Sequence, residues 1–110
     1  MNSPEQQKKL QQLQMIEQNL TNLLMQRQQF QGQIAEVESA LKELRGKDHA
    51  FKIIGNIMVN TKASDLTVEL THRKQLLEIR TKTLEKQEQQ LKAKANQMQE
   101  DVLKAMKKMK

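Results

Sequence analysis

The sequence contains no cysteine, no tryptophan and no tyrosine, and its 110 residues include only three glycines and one proline. Without cysteine, the chain has neither a disulfide framework nor a thiolate metal site. No apolar run approaches the roughly 20 residues that cross a membrane as a helix. The first residues also lack the continuous apolar segment of a signal peptide, so we expect a cytoplasmic protein that does not enter a membrane.

Apolar residues are scarce as well. They make up 36% of the chain, the mean hydropathy is −0.82, and Phe30 and Phe51 are the only aromatic residues. This is too little apolar surface for an ordinary globular core, and it suits either a disordered chain or a narrow coiled-coil seam. The length predicts a single domain over residues 1–110. Periodicity has to decide between disorder and a coiled coil.

The first half of the chain has the periodicity of a coiled coil. Ser3 offers an N-cap hydroxyl, Pro4 suits the first helical position, and Gln6 completes a capping-box pattern. Gly46 suits the end of this helix, which is therefore predicted over residues 4–46. Ten positions alternate by three and four residues, and all but one are apolar. They are Leu13, Ile16, Leu20, Leu23, Arg27, Phe30, Ile34, Val37, Leu41 and Leu44.

A second helix is predicted over residues 65–109, with Ser64 or Asp65 as its N-cap. Its seam is polar at alternate positions near its start and becomes consistently apolar from Ala95 onward. Because the two helices have similar lengths and a short connection, we expect an antiparallel pair with the chain ends together. The seam positions are Leu70, Lys74, Leu77, Thr81, Leu84, Glu88, Leu91, Ala95, Met98, Val102, Ala105 and Met109.

Two of these seam positions carry opposite charges. In an antiparallel pairing, Arg27 and Glu88 come within about one helical turn of each other. A buried pair of this kind can set the register of a coiled coil. Alternatively, the Arg27 side chain extends outward along its own aliphatic stem.

The segment FKIIGNIMVNTK, residues 51–62, interrupts the helical pattern. Two β-favouring runs flank Gly-Asn, a two-residue turn with glycine first, which predicts a β-hairpin over residues 51–61. A lone hairpin is marginal in water, and apolar faces with open edges promote association. We therefore predict that the hairpin joins a sheet with other subunits. The residues concerned are Phe51, Ile53, Ile54, Gly55, Asn56, Ile57, Met58 and Val59, with Ile53 facing Met58 and Ile54 facing Ile57.

This order of elements resembles the β class of prefoldin, in its archaeal form. The resemblance is carried by IIGNIMV followed by Lys62, by LTHRKQLLEIRTKTLEKQEQQL in the second helix, and by a single hairpin between two helices. It implies a mainly α fold, a long antiparallel helical coiled-coil hairpin with one β-hairpin between the helices. The β-hairpins of several subunits would join in a β-barrel platform.

The resemblance also implies partners and a function. Prefoldin is a hexamer of two α-class and four β-class subunits that binds unfolded client proteins at the coiled-coil tips. It prevents their aggregation without ATP and passes them to a group II chaperonin. The segment from Phe51 to Asn60 would build the barrel here, and roughly the first and last 15 residues would form the tips.

Binding of unfolded chains requires accessible apolar groups, and methionine suits promiscuous binding because it is flexible and polarisable. Leu10 and Leu103 are assigned to positions off the seam, which makes them the sharpest candidates for client contact. Leu13, Met98 and Val102 serve equally well to close the coiled coil. The full set of candidate client-binding residues is Leu10, Leu13, Met15, Ile16, Met98, Val102, Leu103, Met106 and Met109.

The net charge is +6, and the end of the chain is basic. Lys104, Lys107, Lys108 and Lys110 either belong to a solvated helix end, where they complement the helix dipole, or dock on an acidic chaperonin surface. Binding of nucleic acid or of a membrane surface by this basic end is an alternative function. Another is a structural coiled-coil adaptor without client binding, which would have polar tips.

Nothing in the sequence indicates an enzyme, a cofactor or a metal site. His49 and His72 lie far apart, and we interpret them as a loop residue and a solvated helix residue. The chain has no nucleophile with an adjacent base and no glycine-rich phosphate loop.

Overall fold

The computed structural model describes residues 4–108, and it consists of two long helices with an antiparallel pair of strands between them. The elements are α1 (Pro4–Leu44), β1 (His49–Ile54), β2 (Ile57–Lys62) and α2 (Ala63–Lys108). This arrangement confirms the predicted mainly helical fold. The Ser3 cap and the seam position Met109 lie outside the described residues.

Helix α1 begins at Pro4, as predicted, and ends at Leu44, two residues before the predicted bound. Gly46 has a φ of +73°, a left-handed conformation that most side chains disfavour. The Lys47 N–H donates a hydrogen bond to the Leu44 carbonyl over 3.1 Å, which satisfies one of the last helical carbonyls. Gly46 thus lies beyond the helix as its cap rather than within it.

Helix α2 begins at Ala63, two residues before the predicted start. The Ala63 N–H donates to the Asp48 carbonyl over 3.0 Å, so the helix starts where the base of the hairpin closes. Asp65, which the sequence suggests as a cap, lies inside the first turn, where its negative charge complements the helix dipole. The start of α2 therefore depends on a backbone hydrogen bond to a residue 15 positions earlier in the chain. The local sequence pattern does not reveal such a bond.

The hairpin has the predicted register. Ile53 pairs with Met58 and Ile54 with Ile57. Gly55 has a φ of +61°, and no other residue of the turn has a positive φ, which is the geometry of a type II′ turn. The strands extend beyond the predicted 51–61 segment at both ends, so that His49 begins β1 instead of lying in a loop.

The chain divides into two compact units, each containing part of both helices. Unit 1 comprises the described residues up to Arg27 and from Lys82 onward, and unit 2 comprises Gln28–Thr81 with the hairpin. All predicted seam positions within residues 4–108 are buried or half-buried. No large side chain in these residues is completely buried, as expected when two helices share a single narrow seam.

Polar seam positions are satisfied within each unit. In unit 2 the Thr81 Oγ1 donates to the Leu77 carbonyl over 2.8 Å, and the Lys74 Nζ lies 3.2 Å from Glu38 Oε1 on the other helix. In unit 1 Arg27 meets Glu88, as described below. These contacts explain how the α2 seam tolerates polar residues at alternate positions.

Candidate functional site

The first candidate site is the hairpin surface, defined as Phe51, Ile53, Ile54, Ile57, Met58 and Val59. Every one of these side chains is exposed, from 41% at Val59 to 71% at Ile53. Strand alternation divides them between two faces, since Ile54, Ile57 and Val59 lie on one side of the sheet and the other three on the opposite side. Both faces of the hairpin are therefore apolar near its turn.

The edges of this hairpin are open too. Within residues 4–108 the sheet has only two strands, so each strand has one edge without a backbone partner. Lys52, which pairs with Val59, forms an exposed ion pair, with its Nζ 2.6 Å from Glu69 Oε1 of α2. This pair links β1 to α2 within unit 2, while the apolar side chains of the hairpin surface remain exposed.

The second candidate site is the chain-end surface, defined as the exposed side chains Met15, Leu103 and Met106. All three belong to unit 1 and were predicted as client-binding residues. They are 53–67% exposed, although they are large and apolar. Unit 1 therefore exposes apolar side chains, whereas a purely structural adaptor would have polar tips.

Four other candidate client-binding residues lie in the seam. Ile16 and Val102 are buried, while Leu13 and Met98 are half-buried. Leu10 is half-buried as well, although the alternation of three and four residues before Leu13 runs through Lys9 and the buried Gln6, so that Leu10 lies one residue off the seam. Met109 lies outside the described residues.

Lysines lie next to Leu103 and Met106 along α2. Lys104, Lys107 and Lys108 are exposed, and the last two lie in the final turn of α2. Among the ion pairs of residues 4–108, none includes these lysines. Lys110, the fourth candidate for chaperonin docking, lies outside the described part of the chain.

The structure decides the conformation of Arg27. Its Nε donates to Glu88 Oε1 over 2.9 Å, and the Glu88 side chain is 8% exposed. The predicted pair is thus present as a part-buried ion pair, in which the Arg27 side chain is 23% exposed and bonded across the seam. The pair lies in unit 1, between the two helices that form its seam.

Three exposed apolar residues of unit 2 were missed by the sequence analysis. Val68, Leu76 and Ile79 on α2 are all exposed. Their spacing places them on one helical face away from the seam, and that period is a signal that a search restricted to the seam does not find.

Within residues 4–108, no cluster of three or more His, Asp or Glu side chains could hold a metal ion. No helix in this range is long and apolar enough to span a membrane.

Comparison with known proteins identifies the architecture. A family model described as "Prefoldin subunit" matches residues 6–109. This chain belongs to the prefoldin family. The prefoldin subunit beta of Archaeoglobus fulgidus is 40% identical over 91 residues, covering 80% of this chain and 78% of that one. The prefoldin subunit beta of Sulfurisphaera tokodaii is 33% identical over 102 residues, covering 90% and 82%.

The fold agrees with a solved structure of the same class. The crystal structure of the prefoldin beta subunit from Thermococcus strain KS-1 superposes with a TM-score of 0.86 at 29% identity, covering 94% of this chain and 93% of that one. Prefoldin subunits are chaperone components and are not known as enzymes, so membership implies a co-chaperone role for this chain. Prefoldin beta subunits form heteromeric complexes with alpha subunits.

Proposed function

We propose that this protein is the β subunit of a prefoldin that holds unfolded proteins and passes them to a group II chaperonin without ATP. The hexamer would contain two α-class and four β-class subunits, and it would act in the cytoplasm. The observation that carries the proposal is the hairpin surface, which is apolar on both faces and open at both edges.

Assembly follows from the energetics of this surface. Full burial of an apolar side chain of this kind stabilises by about 1.5–3 kcal/mol, and six such side chains are concentrated on the 9 residues from Phe51 to Val59. Neighbouring hairpins can pair at the open edges, which satisfies backbone groups and removes the edges at the same time. A closed barrel is the arrangement of hairpins that leaves no edge.

Client binding is assigned to the chain-end surface. Met15 and Met106 are flexible and polarisable, which lets one surface fit many different apolar segments. The exposed lysines beside Leu103 keep this surface hydrated and provide charge for an acidic partner. The chaperonin contact is therefore assigned to Lys104, Lys107, Lys108 and Lys110.

Assembly is tested by native mass spectrometry of the chain with and without an α-class subunit. We expect a hexamer with four copies of this chain when the α-class subunit is present. A stable monomer under both conditions would contradict the proposal, because the hairpin surface would then remain in water.

Client binding is tested by suppression of the aggregation of a denatured enzyme, without ATP. The double variant Leu103→Ser with Met106→Ser should suppress aggregation several-fold less well than the wild type, because both side chains belong to the chain-end surface. The matched control is Leu24→Ser with Met25→Ser, which removes one exposed leucine and one exposed methionine from unit 1 outside that surface. Equal losses in both variants would reject the assignment to the chain end.

A further inference from the structure

Unit 1 has two different sides along its seam. One side carries a cavity of about 550 Å³, and the other carries one of about 170 Å³. Arg27 and Glu88 lie in the smaller cavity, where their hydrogen bond joins the two helices. The larger cavity has no such bridge, and it remains an open groove between the helices.

The larger groove is lined by amide side chains. Asn19, Asn22 and Gln26 come from α1, while Gln87 and Gln90 come from α2. The floor consists of the half-buried seam residues Leu23 and Leu91. Within residues 4–108 the hydrogen bonds do not include any of these five amide groups, so their donors and acceptors are available.

The groove continues along the same side of unit 1. A neighbouring cavity of about 270 Å³ shares Asn19, Leu91 and Lys94 with the first and extends it to Gln12 and Met98. From residue 12 to residue 26 of α1 the axial length is about 21 Å, at about 1.5 Å per residue. An extended polypeptide of about six residues has the same length, at about 3.4 Å per residue.

We propose that this amide-lined groove binds an extended segment of an unfolded polypeptide through its backbone. A side-chain amide can both donate and accept hydrogen bonds, which is what a peptide backbone needs from a partner. Residues four apart on a helix are separated by about 6 Å, close to the roughly 6.8 Å between backbone groups that face the same way in an extended chain. Asn22 and Gln26 have this separation.

The remaining lining determines which segments fit. The floor accommodates apolar side chains, and Lys94 is the only charged residue among those that line the groove. Since no carboxylate lines it, the groove favours neutral or acidic segments over basic ones. Within that preference, recognition of the backbone lets segments of many different sequences bind. This inference rests on the proposed holding of unfolded proteins and adds a contact that adjoins the chain-end surface, because Met15 also lines the neighbouring cavity.

The test uses the full chain and a fluorescent eight-residue peptide. Leucine occupies every second position of this peptide, and the positions between are three serines and one aspartate. Its affinity is measured by fluorescence anisotropy for a four-site groove variant. Because alanine is a good helix former, both helices are retained, which circular dichroism checks. The four changes are Asn22→Ala, Gln26→Ala, Gln87→Ala and Gln90→Ala.

We expect the groove variant to bind the peptide about tenfold more weakly, since several hydrogen bonds are lost and a tenfold change corresponds to about 1.4 kcal/mol. A matched control replaces exposed amides of unit 1 that do not line the groove, and it should bind like the wild type. Equal affinities of groove variant and control would overturn the proposal. The control changes are Gln14→Ala, Gln18→Ala, Gln89→Ala and Asn96→Ala.

A second measurement does not depend on any variant. The same peptide with methylated backbone nitrogens keeps its side chains but loses its N–H donors, and it should bind the wild type several-fold more weakly. Equal affinity for both peptides would also overturn the proposal that the groove binds the peptide backbone. If the groove variant keeps wild-type peptide affinity and still suppresses aggregation, the groove is rejected and the holding function stands. If wild-type protein fails to suppress aggregation, the proposed function is rejected whatever the peptide affinity.

Discussion

The hairpin surface and the chain-end surface both expose large apolar side chains, but they differ in side-chain chemistry and in their backbone. The hairpin surface consists mainly of β-branched residues and phenylalanine on a two-stranded sheet with open edges. The chain-end surface consists of methionine and leucine on helices, whose backbone groups are already hydrogen-bonded internally.

Under the proposed function, this difference would separate permanent from transient contacts. β-branched side chains have few rotamers, and strand edges demand partners in a fixed register, so the hairpin surface favours one specific assembly. Methionine adapts its shape to many partners, and surrounding lysines keep it hydrated between binding events. Similar exposure in two regions can thus serve assembly in one and reversible client binding in the other.

The largest expected effect comes from removing apolar surface at the hairpin. Ile54→Ser with Ile57→Ser removes a cross-strand pair, each member of which is worth about 1.5–3 kcal/mol when buried. We expect subunit association to weaken at least about 100-fold, because 1.4 kcal/mol corresponds to a factor of ten. Native mass spectrometry with an α-class subunit measures this loss.

The control for the hairpin change is Val68→Ser with Ile79→Ser, which removes equally exposed side chains of unit 2 that lie on α2. It should assemble like the wild type. If both double variants lose assembly to the same extent, exposed apolar area as such drives association, and the special role of the hairpin is refuted.

A smaller effect, on the free energy of unfolding, is expected from breaking the ion pair in the seam of unit 1. Glu88→Ala leaves the Arg27 guanidinium in the seam without its partner, and we expect the free energy of unfolding to fall by about 1–3 kcal/mol. Replacing both residues by leucine should restore stability or raise it, because no charge is then buried. Urea unfolding at constant protein concentration measures both variants, and equal stability of Glu88→Ala and wild type would show that the pair contributes nothing.

Two glycine replacements should change the free energy of unfolding in opposite directions. Gly55→Ala forces a side chain into a turn with a φ of +61° and should destabilise the hairpin by about 1–2 kcal/mol. Gly32→Ala lies inside α1 with open space around the added carbon, and it should stabilise by about 0.5–1 kcal/mol. Thermal unfolding distinguishes them, and a shift of the same sign in both would contradict the turn assignment.

The smallest effect is expected from charge at the chain-end surface. Changing Lys104, Lys107, Lys108 and Lys110 to glutamine should weaken chaperonin binding several-fold at low salt, since exposed charge pairs contribute about 0.2–1 kcal/mol each. In about 1 M salt the Debye length is about 3 Å, and wild type and variant should bind alike.

The control for this change removes four exposed lysines elsewhere and should leave chaperonin binding unaltered. An affinity that is independent of salt, or an equal loss in both variants, would remove the docking assignment. The control residues are Lys42, Lys82, Lys86 and Lys92.

Features that depend on local pattern were predictable from the sequence. The seam of both helices follows from apolar spacing, and every predicted seam position within residues 4–108 is at least half-buried. The turn at Gly55 follows from a glycine-first pair between β-favouring runs.

The sequence by itself determined the order of elements, the hairpin register and the seam, because each is encoded by residues that are neighbours along the chain or recur at a fixed spacing. Only the tertiary structure decided the start of α2, which depends on the bond from Ala63 to Asp48, and the pairing of Arg27 with Glu88. It also decided that one side of unit 1 is bridged by charges while the other is open and lined by amides. These properties depend on how two helices meet along their length, and spacing within one helix does not contain that information.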